Sequence, residues 1–172
     1  NFELIKKIKQ FPEKKYFKDL IYDFGNFSKI KENWILAQDK INLDNQVKIL
    51  KTHQGKYNIG KDSFTNNENT LATIYIVRDP RTLISSISNH YTLDLYQASN
   101  FLMTPQIIGN SKKWDEDENG MKCLLGKWND HYRSWTGVKN DLLLIKYEDL
   151  IHNPKNELKK IISFFKKYIN FE

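Results

Sequence analysis

Arg78 closes an apolar run and opens a turn in the stretch Thr73 to Ser86, TIYIVRDPRTLISS. Thr73 to Val77 reads as a strand. Asp79-Pro80 reads as the turn, and Pro80 to Asn89 as a helix with proline in its favoured first turn. In open parallel sheets, ligands sit beyond the carboxyl ends of the strands. Arg78 therefore stands where an anion would be met. Ser86, about two turns into the helix, can offer the same anion a hydroxyl. Arginine usage sharpens the point, because the chain holds only three Arg against 24 Lys, and two of the three are Arg78 and Arg81. A planar guanidinium grips phosphate through two parallel N–H bonds, which an ammonium cannot do. The competing reading pairs Arg78 with Asp79 or another surface acid.

Two further stretches carry reactive side chains. Val47 to His53, VKILKTH, reads as a strand over Val47 to Lys51 that runs out into Lys-Thr-His. Leu142 to Leu150, LLLIKYEDL, reads as a strand over Leu142 to Lys146, and Asn153-Pro154 opens a last helix. A competing motif lies at Gly55 to Lys61, GKYNIGK, which matches a Walker A loop up to its lysine. Asp62 follows where Ser or Thr should meet magnesium, and the next residues lack helical periodicity. The four His and single Cys form no metal-ligand spacing, so no metal is expected.

Short apolar runs separated by helical patterns imply a three-layer α/β fold, a parallel sheet flanked by helices on both faces. One helix is expected over Ser28 to Ile41, capped by Ser28. Another is expected over Lys122 to Thr136. Asn66 to Thr70 and Lys112 to Gly120, with the acidic run Asp115 to Glu118, read as exposed loops. The length of 172 residues favours a single domain over 1–172. Hydrophobic residues at 40% and aromatics at 13% support a packed core and argue against disorder. No apolar run is long enough for a transmembrane segment. The single Cys123 excludes an internal disulfide and suits a reducing, cytoplasmic setting. A net charge of +6 suits an anionic ligand. Its excess is mostly paired lysines without a nucleic-acid motif, so no nucleic-acid partner is expected. Nothing in the sequence fixes an oligomeric state.

The segment Val77-Arg78-Asp79-Pro80-Arg81, with Ser86 eight residues after Arg78, resembles the signature of the sulfotransferase family. That signature is V-R-(D/N)-P-(R/K) followed by the serine. The resemblance implies that Arg78 and Ser86 hold the 3′-phosphate of 3′-phosphoadenylyl sulfate, with adenosine 3′,5′-bisphosphate as product. Lys-Thr-His is similar to the cytosolic branch, which implies His53 as general base; its other reading is a loop histidine with no role, as in branches of the family that use Glu as base. An imidazole suits that task near neutral pH. Lys51 would then support charge on the transferring sulfuryl group. Tyr147, in Tyr-Glu-Asp-Leu, is placed by the resemblance near the adenine. Its other reading is a core aromatic at a strand end. Trp128, His131 and Trp135 read as packing.

The resemblance covers Val47 to about Phe165 and is loose before that. It implies a P-loop NTPase-like sulfotransferase fold in incomplete form. The family's Gly-rich phosphosulfate loop does not precede Val47, and no Arg-Lys-Gly stretch follows downstream. The chain is thus expected to be a fragment of a longer protein, inactive by itself. The expected reaction transfers a sulfuryl group to a hydroxyl or amine of a small-molecule or carbohydrate acceptor, with Thr92 to Asn119 on the acceptor side. Two alternatives stay open: a P-loop kinase or NTPase acting through Gly55 to Lys61, and a non-enzymatic polyanion-binding module.

Overall fold

The strand before Arg78 runs over Ala72–Val77 and pairs in parallel with Asp141–Lys146, in register from Ala72↔Asp141 to Val77↔Lys146. Parallel strands need a crossover of a dozen or more residues between them. Here that crossover contains helices, as the α/β expectation requires. The computed structural model describes residues 9–109, 121–137 and 141–169. The loop expected over 112–120, with its acidic run, lies outside them, as do residues 110–119 of the stretch assigned to the acceptor side.

In chain order the elements begin with β1 (Lys9–Gln10), α1 (Phe27–Glu32), α2 (Trp34–Ile41) and β2 (Leu50–Lys51). Next come β3 (Asn58–Ile59), β4 (Asp62–Ser63), β5 (Ala72–Val77), α3 (Pro80–Tyr91) and α4 (Leu95–Met103). β6 (Gln106–Ile108), β7 (Cys123–Gly126), α5 (Trp128–Thr136), β8 (Asp141–Lys146), α6 (Tyr147–His152) and α7 (Pro154–Phe165) complete them. The chain divides into two compact units, one of residues 1–69 with 107–126 and one of residues 70–106 with 127–172.

In the first unit β1 and β2 pair in parallel. Its core is aromatic. Phe11 stacks on Phe17 at 5.7 Å between centroids, and Trp34 meets Phe64 edge-on at 5.3 Å. Buried Gln38 ties this cluster together, donating to the carbonyl of Phe64 and accepting from the Thr65 hydroxyl at 2.6 Å. The single helix expected over Ser28 to Ile41 is two helices, broken at Asn33. The cap is Asn26, which accepts from the backbone N–H of Lys29, and not Ser28. The strand expected over Val47 to Lys51 is confined to β2.

In the second unit the core gathers Ile87, Ala98, Trp135, Ile145 and Phe164 around the β5–β8 pair and its helices. α3 packs on α4, and both α6 and α7 pack on β8. The helix expected over Lys122 to Thr136 is a strand and a helix. Its first apolar residues, Leu124 and Leu125, belong to β7, and α5 starts only at Trp128. Gly126 separates the two with φ of +68°, a conformation that ends a strand and that only glycine adopts without strain.

Candidate functional site

The second unit brings Arg78 and Tyr147 onto two neighbouring strand-to-helix turns, and Ser86 lies within α3. β5 delivers Arg78 to the turn before α3, and β8 delivers Tyr147 to the start of α6. Because Val77 and Lys146 are in register, the residues after them come side by side. The guanidinium of Arg78 lies over the Tyr147 ring, 4.9 Å from its centroid. A cation over an aromatic face is attracted by the ring quadrupole. Arg78 Nε donates to the Thr82 hydroxyl at 3.3 Å, and that hydroxyl donates to the Asp79 carbonyl at 3.0 Å. Ser86 follows Thr82 by four residues, so the two share one face of α3. Among the described residues the Ser86 hydroxyl has no hydrogen-bond partner.

The two arginines of the motif are in opposite states. Arg81 is tied to Asp79, its Nη2 and Nε reaching the carboxylate at 2.5 and 3.0 Å. Asp79 also caps α3, accepting from the Arg81 backbone N–H at 2.9 Å. Together the Arg81 guanidinium and that N–H pull the Asp79 carboxyl down to about 2. Arg78 makes no ion pair among the described residues, although its charge is felt by Glu148. The pairing with Asp79 considered for Arg78 is made by Arg81 instead. The Nη groups of Arg78 therefore stay available to a ligand anion.

Two residues of this site were not singled out from the sequence. Thr82 holds Arg78 in place. Glu148, within the quoted Tyr-Glu-Asp-Leu stretch, accepts from the Asp79 backbone N–H at 3.1 Å across 69 residues. No local spacing signals a contact of that range.

Lys51 and His53 lie in the first unit. Lys51 ends β2 with its side chain exposed, and its carbonyl accepts from the Phe11 N–H at 2.9 Å. His53 is half-buried in the coil that follows. The next residue, Gln54, is completely buried. Its Oε1 accepts from the Leu124 N–H at 2.7 Å and its Nε2 donates to the Gly55 carbonyl at 3.2 Å. Gly55 N–H in turn donates to the Leu124 carbonyl at 3.0 Å. The end of the Lys-Thr-His stretch is thereby fastened to β7.

Gly55 to Lys61 does not form a phosphate loop. It leads into an antiparallel hairpin, β3 paired with β4, with Gly60 at the turn and φ of +66°. A strand, not a helix, follows Lys61, so the helix start that a Walker loop requires is missing. Gly55 and Gly126 serve packing instead. A Cβ at either position would run into the Tyr57 ring, whose hydroxyl donates to the Leu125 carbonyl at 2.7 Å. Cys123 is buried, and burial pushes its thiol up to about 12, which makes it a poor nucleophile. Among the described residues no three His, Cys, Asp or Glu gather as a metal ion would need. No helix among them is long and apolar enough to cross a membrane.

A family model described as the sulfotransferase domain matches residues 16–172. The chain belongs to the sulfotransferase family. Among proteins of that family, it is 32% identical to sulfotransferase 1B1 of Mus musculus over 127 residues, 73% of this chain and 39% of that protein. It is 27% identical to sulfotransferase 1 family member D1 of Mus musculus over 168 residues, 88% of this chain and 53% of that protein. It is 26% identical to sulfotransferase 1C2 of Rattus norvegicus over 140 residues, 78% of this chain and 42% of that protein. The chain thus spans from about two-fifths to about half the length of these three sulfotransferases. The matched residues include β5, the Arg78 turn, β8 and the Tyr147 turn.

Proposed function

We propose that this chain contributes the 3′-phosphate grip of a sulfotransferase donor site. In this reading the donor is 3′-phosphoadenylyl sulfate, which when bound supplies the sulfuryl group, and the acceptor is a hydroxyl or amine. One observation carries the reading. Of the two arginines of the motif, Arg81 is ion-paired with Asp79, and Arg78 is stacked and tethered and makes no ion pair among the described residues.

The residues present suit an adenosine bisphosphate. Arg78 offers its two Nη groups to a phosphate, and Ser86 adds an unpartnered hydroxyl on the Thr82 face of α3. One face of Tyr147 is covered by the guanidinium, so a purine would stack on the other. In the first unit, His53 would take the proton from the acceptor hydroxyl and Lys51 would balance charge on the sulfuryl oxygens. Those two roles are supported by the likeness of Lys-Thr-His to the cytosolic branch of the family.

The test is binding of adenosine 3′,5′-bisphosphate, followed by calorimetry at fixed salt. Loss of a charged, bidentate phosphate contact costs about 2 kcal/mol, so Arg78→Ala should weaken binding roughly thirtyfold. Arg81→Ala, which removes an exposed ion pair, should change it less than about threefold. Equal small losses in both variants would point to diffuse attraction by many lysines and would remove the donor-site reading.

A further inference from the structure

The N-terminus of α3 lacks the usual partner for its cap. In a capping box, the N-cap side chain accepts from a backbone N–H of the first turn, and a Glu or Gln at the third position accepts from the N-cap N–H. Asp79 fulfils the first half through the Arg81 N–H. The third position holds Thr82, which makes no such bond. Its hydroxyl is engaged with the Asp79 carbonyl and with Arg78 Nε. The N–H of Asp79 is received by Glu148 Oε1 instead, from the start of α6 at the end of the other parallel strand.

Glu148 is the second residue of α6, and its carboxylate sits in that helix's own first turn. It is held below the usual carboxylate range by its own backbone N–H first and by the Asp79 N–H second, with Arg78 adding to the effect. This carboxylate thus reaches from the first turn of α6 to the N-cap residue of α3. It fastens the turn that carries Arg78 to the turn that carries Tyr147. The two contacts between these turns are consecutive: Tyr147 against Arg78, and Glu148 against Asp79.

We propose that Glu148 is a positioning residue of the phosphate grip, locking the Asp79 backbone so that Arg78 is aimed at the bound nucleotide's phosphate. The proposal rests on the donor-site reading above. Without Glu148, the Asp79 N–H loses its acceptor and the turn is free to rotate Arg78 off Tyr147. Glu148 touches no ligand in this scheme and acts only through Arg78.

The experiment measures adenosine 3′,5′-bisphosphate affinity for the wild type, Glu148→Ala, Glu148→Gln, Arg78→Ala and the double variant Arg78→Ala/Glu148→Ala. Glu148→Ala should weaken binding about tenfold, while Glu148→Gln, whose amide oxygen accepts the same N–H, should stay within about threefold. In the Arg78→Ala background, Glu148→Ala should add less than about twofold, because two residues acting through one contact are not additive. Amide hydrogen exchange at Asp79 gives a ligand-free readout, faster in Glu148→Ala and restored in Glu148→Gln. The proposal is overturned if Glu148→Ala binds like the wild type, if its loss persists undiminished without Arg78, or if Gln fails to rescue. Unchanged binding in Arg78→Ala would sink the donor-site reading itself. A loss in Arg78→Ala with none in Glu148→Ala would sink only the role given to Glu148.

Discussion

Gln54 offers the most direct check of how the Lys-Thr-His end is held. The side chain has no solvent exposure and bonds both ways, to the Leu124 N–H at 2.7 Å and the Gly55 carbonyl at 3.2 Å. Gln54→Ala removes both bonds. Each contributes roughly 1 kcal/mol net, and stranding the Leu124 N–H adds about 1 kcal/mol or more. The expected destabilisation is about 3 kcal/mol, which for a chain of this size lowers Tm by roughly 6–12 °C. Thermal unfolding by circular dichroism reads the shift. Gln54→Glu supplies a second arm. It keeps an oxygen for Leu124 but turns a carboxylate on the Gly55 carbonyl in a fully buried place. Burial raises a carboxyl's pKa, so the deficit of Gln54→Glu should shrink as pH falls from 8 to 5, where the protonated acid can donate to Gly55. A loss under about 1 kcal/mol in Gln54→Ala would refute the idea that this side chain fastens the stretch to β7.

Two other outcomes are expected. Thr92 ends α3 in the left-handed region, with φ of 56° and ψ of 46°. Thr92→Gly should relieve that strain and raise stability by about 0.5–1 kcal/mol in urea unfolding, while Thr92→Val should not. Asp79 has a depressed folded-state pKa of about 2, so its contribution is present above the unfolded carboxyl value and is lost as pH falls toward 2. Asp79→Asn should therefore flatten the pH dependence of stability between about pH 4 and pH 2.

The clearest elements of the sequence were those whose signals are local. The apolar run before Arg78 became β5, and Pro80 marked the first residue of α3. LLLIK became the core of β8, and Asn153-Pro154 opened α7. Errors arose where a short apolar run serves either period. Leu124 and Leu125 fit a helical face as well as a strand. Only pairing with β6 and the positive φ of Gly126 decide for the strand. Asn33 broke an otherwise continuous helical pattern, and its backbone departs from helix geometry at φ −112° and ψ 8°.

The sequence by itself determined which residue types could hold an anion, because a guanidinium, a proline turn and a serine within nine residues are readable from composition and spacing. Tertiary structure alone decided which arginine stays available. That choice depends on Asp79 folding back onto Arg81, and on Tyr147 and Glu148 arriving from a strand 69 residues away. The Asp79–Arg81 pair is a contact between near neighbours in sequence, whereas the placing of Tyr147 on Arg78 and of Glu148 on Asp79 follows from the register of two parallel strands.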